Sequence, residues 1–367
     1  MFLTEPGRFG CRLGIDAWRR YNCPMATRNA TSASSAPSRA IDAAGIASAL
    51  AAILDLDRVG PDDDFFTLGG DSTAAVALVA EIEARTGRKL EISILLEAPT
   101  PNRLAAHIAG NTAAHHPLLV PVEEAGTGVP LFLVHGLLGP VFLARYLRGH
   151  LGSRPIWGIQ AAPQNPLAAA PKPIERLAQD YVDAIRTIRP KGPYLLGGYC
   201  AGTYIAWEMA QRLTAAGESI PLLFAIDPPP IIGDYIGGRA PAPGAGPMDD
   251  RRFIAKVKLD IRRTGFRHED FYWIRSDPAA QQEAAATAAA LRHAYLAYRP
   301  TPYYGSVVFL CSANKARLIL RPSSPWYPLT GGRPVIRKLA RLHTDLFVPN
   351  DPTLGANMRQ AIEALGL

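Results

Sequence analysis

The stretch Leu195-Leu196-Gly197-Gly198-Tyr199-Cys200-Ala201-Gly202 constrains this chain more than any other. An apolar run enters it, and Thr203-Tyr204-Ile205-Ala206-Trp207-Glu208-Met209-Ala210 leaves it with helical periodicity. The expected local structure is strand, sharp turn, helix. Glycine is required at both edges of such a turn, because a Cβ at Gly198 or Gly202 would run into the neighbouring strand or helix. The helix that follows points its free N–H groups and positive dipole end at Cys200, which favours the thiolate.

Composition limits what surrounds this turn. A chain of 367 residues, 48% of them hydrophobic, is long enough for two domains with one substantial core. Mean hydropathy near zero, without an 18-residue uncharged apolar run, argues against a membrane span. The four cysteines, Cys11, Cys23, Cys200 and Cys311, form neither a disulfide framework nor a metal pattern. A reducing, cytoplasmic setting and no metal site are therefore expected.

The net charge of +7 is unevenly divided. Residues 1–41 hold 6 basic and 2 acidic side chains, residues 42–110 hold 5 and 11, and residues 111–367 hold 28 and 19. An acidic small unit tethered to a basic large one should be drawn to it. The basic residues are scattered without aromatic interleaving, so no nucleic-acid partner is expected.

Residues 1–41 are poor in acids and rich in Arg and Ser, and read as a disordered arm rather than a signal peptide. Met25 is an alternative start to Met1. Residues 42–110 read as a small all-α bundle. Ile46, Leu50, Ile53 and Leu54 recur at helical spacing, Pro61-Asp62-Asp63-Asp64 breaks the pattern, and a helix follows Asp71 and Ser72. The segment Asp64-x-Phe66-x-x-x-Gly69-Gly70-Asp71-Ser72 resembles the core motif of peptidyl carrier domains of non-ribosomal peptide synthetases. Pro99-Thr100 and Leu104-Ala105 resemble the start of the last carrier helix. The resemblance implies a 4'-phosphopantetheine arm on Ser72, attached by a separate phosphopantetheinyl transferase. Residues 111–128, with His115-His116-Pro117, read as a linker whose histidines lack further ligands.

From Val129 the pattern alternates strand and helix. Leu131–Val134, Ile156–Ile159, Tyr194–Leu196, Leu222–Ile226 and Ser306–Cys311 read as buried strands, the last being the final clear one. Ile174–Ile188 reads as an amphipathic helix and Leu354–Leu365 as a terminal one. Asp227 ends a strand, on the edge where such sheets bind ligands. Residues 231–300 interrupt the alternation with helical runs near Arg251–Thr264 and Ala279–Tyr298, expected to form a lid over the site.

Residues 129–367 resemble the thioesterase domain that ends many peptide and polyketide synthetases, an α/β-hydrolase with a helical lid. The order Cys200, Asp227, His343 is that of an α/β-hydrolase triad. The resemblance makes Cys200 the nucleophile, His343 the base and Asp227 the residue that orients it. It makes the amides of Leu137 and Ala201 the oxyanion donors and His135 a residue that orders the oxyanion loop. Two features depart from the family pattern: cysteine replaces serine, and Leu342 replaces the glycine usual before the histidine. Asp345 is a conceivable substitute acid.

An acylated cysteine is a thioester, nearly isoenergetic with the carrier thioester it came from, so the acyl group keeps its reactivity. Release by hydrolysis or by cyclisation to a lactone or lactam is expected. The alternatives are a shuttle moving acyl groups between carriers and a non-catalytic docking module. Without condensation or adenylation patterns in the chain, the acyl or peptidyl thioester is expected from upstream synthetase modules or other carrier proteins.

Overall fold

The computed structural model describes residues 41–367 except 71, 89, 91–93, 111–115, 140, 163–171, 230–254, 256–277, 341–345 and 347–350. The arm at 1–40 therefore lies outside the described residues. Labels below run in chain order over what is described.

The N-terminal unit is helical: α1 (Ala43–Leu54), α2 (Ser72–Thr86), α3 (Ile94–Glu97) and α4 (Pro101–Ile108). Its helices start where short polar side chains can cap them. The Asp42 carboxylate accepts from Gly45 N at 2.8 Å, and Thr100 Oγ1 accepts from Arg103 N at 3.3 Å, with Pro101 just inside the helix. Ile46, Leu50, Phe65, Leu78, Ile82 and Leu104 bury their side chains in one cluster. The loop before α2 is pinned from within. Asp64 Oδ1 accepts from the amides of Phe66 and Thr67, Phe65 N donates to Pro99 O, and Gly70 N donates to Phe65 O.

The larger unit is built on a seven-stranded sheet among the described residues, in the order β1-β3-β2-β4-β5-β6-β7. The strands are β1 (Leu119–Glu123), β2 (Leu131–Val134), β3 (Ile156–Ile159), β4 (Leu195–Tyr199), β5 (Leu222–Ile226), β6 (Val307–Ser312) and β7 (Val335–Ala340). Only β1 runs antiparallel to its neighbour. The central strands are apolar throughout because both faces are covered. Alternate residues divide between two cores. Phe132, Val134 and Leu196 pack with α5 (Ile174–Ile188), α6 (Gly202–Ala215) and α7 (Pro278–Ala297), beside α8 (Ala313–Ile319) and α9 (Trp326–Thr330). Leu131, Leu133 and Leu195 pack with the 3-10 segment Phe142–Leu147 and α10 (Thr353–Glu363).

The linker expected over 111–128 needs correction, because β1 lies inside it and pairs with β3. Pro121 is accommodated inside β1 because a proline is tolerated on an edge strand, which β1 is. The strand Ser306–Cys311 is also not the final one, since β7 follows it on the outer edge. Its pattern of exposed and half-buried residues, with charges at Arg337 and Lys338, hid it from a search for apolar runs. Of the expected lid, α7 matches the second helical run. The first run, apart from Ala255, and the aromatic residues Phe253, Phe266, Phe271, Tyr272 and Trp273 lie outside the described residues.

Candidate active site

The turn between β4 and α6 forms as its glycines require. Cys200 sits at φ +52°, in the left-handed region that a side-chain-bearing residue rarely adopts, and its N–H donates to Ile226 O at 2.8 Å. A Cβ at Gly198 would lie 2.3 Å from Gly202 O, and one at Gly202 would lie 2.1 Å from His135 O. Thr203 Oγ1 donates to Gly198 O at 2.8 Å and ties the helix start back to the strand. The thiol is thereby held at the positive end of a 14-residue helix. Cys200 is half-buried, whereas Cys311 is fully buried in the core, where desolvation and then the nearby Asp227 charge push its thiol well up. Cys311 is the inert cysteine of the two.

Asp227 lies one strand over, just past the end of β5, fully buried and at φ +47°. Its N–H donates to Leu310 O at 2.9 Å, and its Oδ1 accepts from Ser312 N at 2.7 Å. A buried carboxylate needs such donors, and the last residue of β6 supplies one. Tyr199 ends β4 beside Cys200, and its phenol is pushed up by burial and by the charges of Cys200 and Asp227, so it stays protonated. His343 and Asp345 lie outside the described residues.

His135 follows β2 and is 1% exposed. One ring nitrogen, Nδ1, lies 2.6 Å from Gly136 O, and Nε2 lies 2.7 Å from the Tyr181 hydroxyl. A carbonyl can only accept, so Nδ1 carries the proton and Nε2 accepts from Tyr181. Burial lowers the His135 pKa to about 4, partly opposed by the Gly136 bond. A neutral, doubly bonded imidazole orders a loop and has no free nitrogen to act as a base. That loop turns through Leu137 to Gly139, with Gly139 at φ +99° and its Cα facing Thr287 of α7. A Cβ at Gly139 would lie 2.9 Å from Thr287 Cγ2, so the described part of the expected lid closes against the loop. Leu137 is half-buried, and Ala201 is buried at the start of α6.

Sequence reasoning missed Tyr181 and Ser312. Tyr181 reads from the sequence only as part of the apolar stripe of α5; the signal for its role was that a tyrosine on a buried face needs a partner for its hydroxyl. Ser312 acts through its backbone amide, which no residue type announces.

The helical unit presents Ser72 as the first residue of α2, after Gly69 at φ +91° with open space around it. A Cβ at Gly70, by contrast, would lie 2.5 Å from Phe65 O. The loop is thus open at Gly69 and closed at Gly70. Asp71 lies outside the described residues.

Comparison with known proteins agrees with this division. Residues 44–108 match the phosphopantetheine attachment site family, and residues 129–265 match the thioesterase domain family. A dimodular nonribosomal peptide synthase of Bacillus subtilis is 32% identical over 316 residues, covering 81% of this chain and 13% of that protein. Malpibaldin synthetase of Mortierella alpina is 28% identical over 346 residues, 89% of this chain and 6% of its own length. The chain therefore spans a small part of these curated relatives. Among solved structures, a four-domain nonribosomal peptide synthetase superimposes with a TM-score of 0.56 at 23% identity, over 94% of this chain and 27% of that one. The type II thioesterase BorB from the borrelidin biosynthetic cluster does so with a TM-score of 0.51 at 20% identity, over 69% and 100%. Among the described residues no helix is long and apolar enough to cross a membrane. The chain is a carrier domain of the phosphopantetheine attachment family followed by a thioesterase domain of the α/β-hydrolase fold.

Proposed function

We propose that this chain takes an acyl thioester from the 4'-phosphopantetheine arm of Ser72 onto Cys200 and releases it by hydrolysis or by cyclisation to a lactone or lactam. The observation that carries this reading is the strained Cys200 turn at the start of α6, one strand from the buried Asp227. The arm supplies a flexible tether and a thiol leaving group. In this reading His343 takes the Cys200 proton and Asp227 orients it. The thiolate adds to the acyl carbonyl, and the amides of Leu137 and Ala201 hold the oxyanion. The carbon–sulfur bond of the substrate then breaks, and the departing thiolate takes the proton from His343. Water, or a hydroxyl or amine of the acyl chain, gives its proton to His343 and attacks the Cys200 thioester. Its collapse returns the proton to Cys200 and frees an acid, lactone or lactam.

The partners of this reading are a phosphopantetheinyl transferase that modifies Ser72 and upstream synthetase modules, or other carriers, that deliver the acyl or peptidyl group. Intact-protein mass spectrometry of the arm-bearing chain, loaded with a model aminoacyl group, tests it. Acyl mass should move from arm to enzyme in the native protein and stay on the arm in Cys200→Ala, a loss of at least roughly 10³-fold in transfer. Departure of the acyl group only when a second carrier is added would make the protein a shuttle. Unchanged release by Cys200→Ala would make it a docking module.

A further inference from the structure

The thioesterase domain grips the carrier at a place remote from Cys200. Arg148, just past the 3-10 segment, pairs its Nη1 with Asp64 Oδ2 while its Nε donates to Val122 O at 2.8 Å. The Arg145 guanidinium lies 4.2 Å from the Phe66 ring centroid, and Phe66 packs against the cores of both domains. Arg103 of α4 meets Glu124, at the end of β1, at 2.5 Å, and α3 lies against β1. Asp64 has a divided role: Oδ1 holds its own loop together and Oδ2 faces the other domain.

The register fixes where this grip sits. Val122 lies between Pro121, opposite Trp157, and Glu123, opposite Ile156, and Ile156 aligns with Leu131 and Leu195. The Arg148 contact is thus at the starts of the parallel strands, while Cys200 follows their ends. Three strand spacings and four to five residues separate them, about 20 Å through the sheet. Ser72 follows Gly70 by two residues, so its Cα is within about 7.6 Å of that of Gly70, in the gripped loop. The gripped loop therefore meets the sheet at the end opposite Cys200.

We infer that Arg145 and Arg148 form a clasp that recognises the Asp64–Phe66 loop of the chain's own carrier and holds it in a resting position, which must open before the arm reaches Cys200. This rests on the proposed function for its purpose but not for its test. The full chain in a Cys200→Ala background, its Ser72 arm carrying a benzophenone-tipped pantetheine, would be photo-cross-linked and mapped by mass spectrometry. In parallel, amide hydrogen exchange reports the clasp itself. Arg148→Glu opens it from one side. Asp64→Asn opens it from the other while keeping the oxygen that holds the loop.

With the clasp intact, cross-links should fall chiefly on residues 119–124 and 148–154 rather than 135–139 and 199–204. Both variants should shift that ratio at least threefold towards the second pair and speed exchange in 64–70 and 119–124. Higher salt should do the same to the native pair and little to the variants. Cross-links already concentrated on 199–204 in the native chain would make the clasp a delivering dock and overturn the inference. So would unchanged exchange, or an unchanged cross-link ratio, in both variants. Failure of Cys200 acylation would sink the proposed function and leave these readouts untouched.

Discussion

Two glycine-rich turns lead into helices in this molecule, and they meet opposite demands. At Gly69-Gly70 the chain turns in open space on its outer side, with Gly69 at φ +91° and nothing within 4 Å of where a Cβ would stand. At Gly198–Gly202 the same kind of transition is boxed in by Gly202 O and His135 O, and the strained φ falls on Cys200 itself. A serine that a transferase must modify belongs on an approachable turn. A thiol that must meet a carbonyl at a set angle belongs on a turn with no room to move. At Gly69 glycine answers to backbone conformation, with Gly70 behind it closed off by Phe65. In the second turn it answers to sterics.

The sharpest way to break that contrast is to give each turn a Cβ. Gly202→Ala forces a methyl to within 2.1 Å of His135 O, and the thioesterase domain should lose on the order of 4 kcal/mol or fail to fold. Gly69→Ala pushes only against a left-handed backbone and should cost the carrier about 1–2 kcal/mol. Urea denaturation of the full chain, followed separately on peptides of each domain by hydrogen exchange, reads both. Equal losses would mean that the two turns are held alike.

Next in size is the acid sensitivity of the boxed-in side. His135 has a folded pKa of about 4 against an ordinary 6.5, so the unfolded state binds the proton first. Its contribution is complete above about pH 6.5, falls as pH drops towards 4, and levels off below that. The loss should reach about 3 kcal/mol at most. Stability of the thioesterase domain measured from pH 7 to 4 should show it, and His135→Gln should flatten that part of the curve. Smallest is Tyr181→Phe, which leaves His135 Nε2 without its donor and should cost about 1–2 kcal/mol. Acyl transfer to Cys200 should slow with it, since the Leu137 loop hangs on His135. A Tyr181→Phe chain with native transfer would detach that loop from the chemistry.

The charge division along the chain meets a mixed outcome at the domain contact. Asp64 of the acidic carrier does find Arg148 of the basic domain. Yet Arg103, one of the few basic residues of the carrier, finds Glu124. Net charge describes a long-range field, while contacts at 3–4 Å are chosen residue by residue. The sum over a domain therefore had no means of naming either pair.

Local rules made much else legible in the residues alone. The apolar runs of β2, β3 and β5, the stripe of α5, and the glycines around Cys200 each depend on neighbours within a few positions. Their strands, helix and turn stand where periodicity and sterics put them. Elements answering to distant partners were not legible. Strand β1 exists because β3 offers an edge, β7 because β6 does, and Pro121 and the charges of β7 are tolerated only at such edges. The tautomer of His135 depends on a tyrosine 46 residues away, and the burial of Asp227 on an amide 85 residues away. A thiol on a strained turn is decided by its own glycines, and a loop histidine's proton or a carrier's resting place by groups that only the folded chain brings near. The first is short-range sterics, which a sequence carries in itself, and the second is desolvation and pairing, which exist only once the core has closed.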